Sequence, residues 1–205
     1  MIMSMEMKAR KKMIEKPVNW DNTTAVIGSG YKNLPAGNYK CKIVGCETTQ
    51  SKSGNQMLKI AFDVVEGEYS GIYMERFEAA KKSNADAKYP AVGIYYQLLG
   101  DEHAGRLKGL IQCLEMSNPQ FRWNWDEKAL KGLFFAGQFR EEEYYNQNGE
   151  LRSSTKLVNI YPLEELPNLD VLPKKQVEPA NTSAGNNNGW GNDFGTTAPA
   201  SDIPF

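Results

Sequence analysis

Long apolar runs are missing from this sequence. No stretch reaches the roughly 18 uninterrupted apolar residues that a membrane-spanning helix needs. The methionine-rich start, Met1 to Met13, is broken by Glu6, Lys8, Arg10, Lys11 and Lys12, so it also lacks the apolar centre of a signal peptide. No membrane partner is expected. Cysteine is scarce: Cys41, Cys46 and Cys113 are an odd set, which speaks against a secreted disulfide framework and for a reducing cytoplasm. Histidine occurs once, at position 103, leaving little support for a His-based metal cluster or a His-dependent nucleophilic triad. Cys41, Cys46, His103 and Cys113 can be written as a four-ligand set, but Cys41 and Cys46 have opposite parity on a strand and lack a tight knuckle. Buried thiols are the expected reading. Gly28-Ser29-Gly30 has no Lys-Ser or Lys-Thr at phosphate-loop spacing and no further glycine for a dinucleotide fingerprint. No paired Asp-x-Asp marks a metal-dependent nuclease or polymerase. The chain is therefore expected not to be an enzyme, with no cofactor and no metal.

What is present suits one ordinary domain with additional segments: 205 residues, 40% hydrophobic and 24% charged. The formal net charge of −1 runs against the basic excess usual for nucleic-acid binding, so the balance is read locally. Residues 1–16 carry Lys8, Arg10, Lys11, Lys12 and Lys16 against Glu6 and Glu15, a basic N-terminal arm of net +3. Strand-like and helix-like patterns then run through residues 17–169, the expected globular domain. Residues 170–200 are rich in Gly, Asn and polar groups, a composition that does not repay the entropy of ordering and predicts a disordered linker. Residues 201–205 form a distinct tip.

Within the body, Asn38 to Cys46 alternates Tyr39, Cys41 and Ile43 with Lys40, Lys42 and Val44, the period of a strand with one buried face. Turn chemistry at Gln50 to Asn55 leads to Met57 to Val65, with Leu58, Ile60, Phe62 and Val64 on one face. Gly71 to Phe77 predicts a third strand, Lys81 to Pro90 a polar connection, and Ala91 to Met116 one or two helices. Leu133 to Tyr145 and Leu151 to Tyr161 predict two further strands joined at Asn148-Gly149. Three strands, a helix and two strands give a mainly β fold, a five-stranded antiparallel OB-type barrel with its helix between strands 3 and 4. An SH3-like barrel or a helix-capped antiparallel sheet leaves the same trace.

The tail ends on an acidic residue, two hydrophobes and a free carboxylate: Asp202, Ile203, Pro204 and Phe205. Phe205 can enter an apolar pocket while its carboxylate meets an Arg or Lys of a partner, and Pro204 limits the conformations lost on binding. Together with Gly189-Trp190-Gly191-Asn192-Asp193-Phe194, this ending resembles the tails of bacterial and phage single-stranded DNA-binding proteins. In the body, Val18-Asn19-Trp20-Asp21 and Tyr31 to Tyr39 resemble the start of a family of phage proteins found among replication and recombination genes. The resemblance implies binding of single-stranded DNA and recruitment of replication or recombination proteins by Asp202, Ile203, Pro204 and Phe205, in a bacterial host cytoplasm. A homo-oligomer is compatible with it.

Nonspecific single-strand binding needs cations that follow phosphates and aromatic faces on which bases stack. Lys40 and Lys42 on strand 1, Lys59 on strand 2, Arg76 on strand 3 and Arg140 on strand 4 are the expected cations, with Tyr73, Phe77, Phe139 or Tyr144 as stacking platforms. Half of the aromatics must fill the barrel, and alternating lysines are also the ordinary solvent side of a strand. The loops Lys81 to Lys88 and Gln50 to Asn55 are weighed as flaps, and Glu141-Glu142-Glu143 as a solvated edge that avoids phosphate. A sequence-nonspecific single-stranded DNA-binding protein is the expected function. The alternative is an adaptor of a phage replication or recombination complex that binds no DNA itself. A nuclease accessory is a third reading.

Overall fold

A computed structural model describes residues 16–22, 25 and 32–177. The basic arm up to Glu15, the Gly28–Gly30 connector and the tail from Glu178, with its tip, lie outside the described residues. The chain divides into two compact units, Met1–Tyr31 and Lys32–Phe205. In the first, a turn leads into the short 3-10 helix Trp20–Asn22, and Lys16 pairs with Asp21 at 2.7 Å.

The second unit is built on β1 (Gly37–Gln50), β2 (Gln56–Val64), α1 (Ile72–Ser83), β3 (Ile94–Leu98), α2 (Ala104–Ser117), β4 (Phe134–Tyr145) and β5 (Leu151–Tyr161). The strands form one antiparallel sheet in the order β3-β2-β1-β4-β5. It is not closed into a barrel, and β3 and β5 are its edges. Two tight connections set the registers. Ser51 to Asn55 turns on Gly54 at φ 83°, and Asn146 to Glu150 turns on Gly149 at φ 75°. In the second turn the Asn146 side-chain oxygen accepts from the amides of Asn148 and Glu150, so Gly149 alone takes a positive φ there.

One face of the sheet is apolar. Cys41, Ile43, Leu58, Ile60, Phe62, Val64, Phe135 and Phe139 lie there, sealed by Ile72 and Tyr73 of α1 and by Leu110, Ile111 and Leu114 of α2. Phe62 is at its centre, with ring centroids 5.7 Å from Tyr73, 5.9 Å from Phe135 and 5.8 Å from Phe139. The register of β1 on β2 shifts between Ile43 and Gly45, and that of β4 on β5 between Gln138 and Phe139. Each bulge bends and twists its strand. The first also reverses the parity of β1, so that Cys46 pairs with buried Ile60 and packs on the core.

The third strand expected at Gly71 to Phe77 is instead the first half of α1. Its start is fixed from outside the segment. Gly71 provides φ 78° but no side-chain cap, and the buried Asp63 carboxylate of β2 accepts the amides of Tyr73 at 3.0 Å and Met74 at 2.9 Å. A strand residue thereby does the work of an N-cap. The third strand of the sheet is Ile94–Leu98, inside the stretch expected to be helical, and α2 follows it. The helix between strands 3 and 4 is therefore present.

Candidate nucleic-acid interface

The face opposite the core takes its chemistry from the alternation that buries Cys41, Ile43 and Phe135. Their neighbours Lys40, Lys42 and Phe134 must point the other way. Lys42 and Phe134 are cross-strand partners, and the ammonium groups of Lys40 and Lys42 each lie 5.5 Å from the Phe134 ring centroid. Further along, Lys59 is paired across strands with Glu47 on one side and Tyr96 on the other. Lys40 also meets Glu66 at 2.5 Å, and Lys59 meets Glu47 at 2.8 Å. Three expected cations thus share one face with two aromatics, Phe134 and Tyr96.

The opposite end of this face is occupied by the chain itself. Asn38 donates to the Leu169 carbonyl at 2.6 Å and Gln138 to that of Asp170 at 2.8 Å. Lys175 then pairs with the free side of β4, accepting from the Glu143 amide and donating to the Glu141 carbonyl, both at 2.9 Å. Asp170 to Lys175, expected to begin the linker, is therefore held on the sheet. The three glutamates are not a bare solvated edge either. Glu141 and Glu143 both hold Lys174, at 3.1 and 2.9 Å, and buried Glu142 holds Arg140 at 2.5 Å and Lys156 at 3.4 Å.

Other expected site residues are placed elsewhere. Tyr73 and Phe139 are 1% and 0% exposed, so these rings fill the core and present no face to a base. Tyr73 would face outward only on a strand at 71–77, and the helix turns it in; Phe139 lies four residues after Phe135 on the unbroken alternation of β4, which puts both rings on the core face. Phe77 packs edge-on against Tyr89, with centroids 5.5 Å apart and the Lys81 ammonium 5.0 Å from its ring. Arg76, on α1, donates to the Lys32 carbonyl and borders a cavity of about 330 Å3 that Tyr73 also lines. Arg140 serves Glu142. Tyr144 sits beside the tip of the β4–β5 hairpin, where Tyr145 and Leu151 are cross-strand partners, 53% and 54% exposed, next to Arg152.

Three aromatics escaped sequence reasoning: Tyr96 on β3, Phe134 and Trp125. Phe134 was legible in principle: once Phe135 is assigned to the core, its neighbour must face out beside Lys42. Trp125 is 79% exposed and takes φ 67°, the left-handed region that non-glycine residues enter at a cost of about 1–2 kcal/mol. It ends a series, Phe121, Trp123 and Trp125, whose successive centroids are 6.5 and 6.0 Å apart. Alternating aromatics around Arg122 were the available signal.

All three thiols are raised above their ordinary range, chiefly by burial; Cys46 is pushed up to about 12, with Glu127 adding to the effect. They are buried or half-buried, as expected of packing thiols. Among the described residues no group of three His, Cys, Asp or Glu side chains is arranged to hold a metal, and no helix is long and apolar enough to cross a membrane.

Residues 18–90, less than half of the chain, match a family described as a protein of unknown function, DUF669. No curated protein matches the chain.

Proposed function

We propose that the protein binds single-stranded DNA without base-specific readout over most of its surface, using the open face of the sheet. The observation that carries this reading is the Phe134 ring with the Lys40 and Lys42 ammonium groups both 5.5 Å from its centroid. A ring for a base to stack on, with two lysines over it whose ammonium groups can turn to the phosphates, is the minimum element of sequence-tolerant single-strand recognition.

The topology supports the reading. In the order β3-β2-β1-β4-β5 the first strand has β2 and β4 as neighbours, and bringing β3 onto β5 would complete a five-stranded ring with α2 at the β3–β4 connection. That is the plan of an OB fold, which is often partly open and binds oligonucleotides with its strand 2–3 face and the loops after strands 1 and 4. Here those elements carry Lys59 and Tyr96, Lys52, and the hairpin tip with Tyr145 and Arg152. The C-terminal residues Asp202 to Phe205 are assigned, on sequence, to partner proteins of replication or recombination.

Fluorescence anisotropy of a labelled oligo-dT tests the assignment, at two salt concentrations and with duplex as the control. Tight, salt-weakened binding to the single strand is expected, and weak binding to duplex. Phe134→Leu should weaken the single-strand affinity by about 5- to 150-fold, the loss of one base stack at ~1–3 kcal/mol, while leaving thermal stability nearly unchanged. Absence of oligo-dT binding by the full-length protein would overturn the proposal in favour of the adaptor.

A further inference from the structure

Between α1, the short helix Ala91–Gly93 and the β4–β5 hairpin lies the cavity of about 330 Å3. Its polar wall includes Tyr73, Arg76, Glu141 and Thr155, and its apolar wall Leu34, Pro35 and Val92. Tyr73 is 1% exposed, and its hydroxyl has no hydrogen-bond partner among the described residues. Buried polar groups are nearly always satisfied, and a phenylalanine would fill the same core position without the unmet group. Burial also pushes the phenol above its ordinary range, so the hydroxyl keeps its proton.

The rest of the wall selects the kind of partner. Arg76 brings a cation and Glu141 a carboxylate to the same cavity. Hydrogen bonds from Ser153 and Lys174 lower the Glu141 pKa and keep it ionised. A phosphate would meet that carboxylate unfavourably. A neutral heterocycle with donors and acceptors along one edge satisfies both charges, and its flat faces suit Leu34, Pro35 and Val92. The volume lies at the small end of ligand pockets, the size of a single base rather than a dinucleotide.

We propose that this cavity receives one nucleobase, read along its polar edge by the Tyr73 hydroxyl, Arg76 and Glu141. The inference rests on the single-strand reading above and adds one base-discriminating position to an otherwise sequence-tolerant surface.

The test is anisotropy titration of the full-length protein with five oligo-dT strands, whose central nucleotide is A, C, G, T or an abasic site. One central base should bind more tightly than the abasic strand. Tyr73→Phe should shrink that advantage by about threefold to tenfold, the effect of one hydrogen bond, without changing affinity for the abasic strand. Thr155→Phe, which fills the cavity from β5, should abolish the advantage. Equal binding of all five strands, unaltered by Tyr73→Phe, would assign the hydroxyl to a trapped water and overturn the pocket while leaving the single-strand reading intact. If no strand binds, free adenosine, guanosine, cytidine and thymidine are titrated by amide NMR. Shifts seen in the wild type and lost in Tyr73→Phe sustain the pocket alone; no shift overturns it as well.

Discussion

Replacing Lys42 with alanine probes the proposed surface at its least encumbered cation. Lys40 is tied to Glu66 and Lys59 to Glu47, whereas Lys42 pairs with no carboxylate among the described residues and sits over Phe134. A phosphate approaching Lys40 or Lys59 must displace a glutamate; one approaching Lys42 need not. Each phosphate neutralised on a single strand contributes about 0.7 to the slope of log affinity against log salt. With one phosphate at each of Lys40, Lys42 and Lys59, the face supplies a slope of about −2.1, an approximately 18-fold loss of affinity between about 50 and 200 mM salt. Lys42→Ala should reduce this to about −1.4 and roughly sevenfold. Any cations beyond these three add equally to both proteins, so the difference of about 0.7 is the quantity to measure, by anisotropy with oligo-dT at four or more salt concentrations. Lys42→Arg should restore the slope, and Lys40→Ala, whose phosphate contact must first displace Glu66, should lose less affinity than Lys42→Ala. A Lys42→Ala protein with wild-type slope and affinity would make Lys42 an ordinary solvent-side lysine and refute the phosphate path along β1.

Asp63→Ala strands two buried amides, those of Val64 and Tyr73, and a third at Met74. It should cost about 2–5 kcal/mol, at ~1–3 kcal/mol for each buried orphan, read as a lower urea midpoint with an unchanged m-value. Burial, opposed by those three amides, raises the Asp63 pKa above its ordinary value. The wild type should therefore lose stability as pH climbs from near the unfolded carboxyl value through the raised folded one, a slope that Asp63→Asn should lack when the two unfolding curves are compared. Cys41, Cys46 and Cys113, all with raised pKa values, should resist iodoacetamide at pH 8 in the folded protein and react fully in denaturant, as counted by mass spectrometry. Rapid native labelling at Cys46 would show that its pairing with Ile60 on the core face is wrong.

Four strands were legible because their patterns were local. Leu58, Ile60, Phe62 and Val64 announce β2 by alternation alone, and Leu151 and Tyr161 bound β5 as expected. The failures were non-local. Ile72 to Phe77 alternates well enough for a strand, and what makes it helical is a carboxylate on β2 capping its first turn. Ile94 to Leu98 was absorbed into the helical stretch that follows it, because five residues are too few to establish a period. At the interface, Lys40, Lys42 and Lys59 were found from parity, which holds where strands are regular. The expectation for Phe139 goes against the same rule: it shares the parity of Phe135 and lies with it on the core face.

The borrowed cap on α1 also makes the helix depend on the sheet. A helix of 12 residues is marginal in water, and this one has neither a capping side chain of its own nor a pattern that excludes extended structure. Its first turn is secured only once Asp63 is in position and the Gly71 amide has met the Val64 carbonyl at 2.8 Å. The first turn of α1 therefore depends on the β1–β2 hairpin, and the Tyr73 and Met74 amides are expected to exchange no more slowly than those of the hairpin that holds them. Tyr73 and Arg76 lie on that helix, so the wall they form inherits the same dependence.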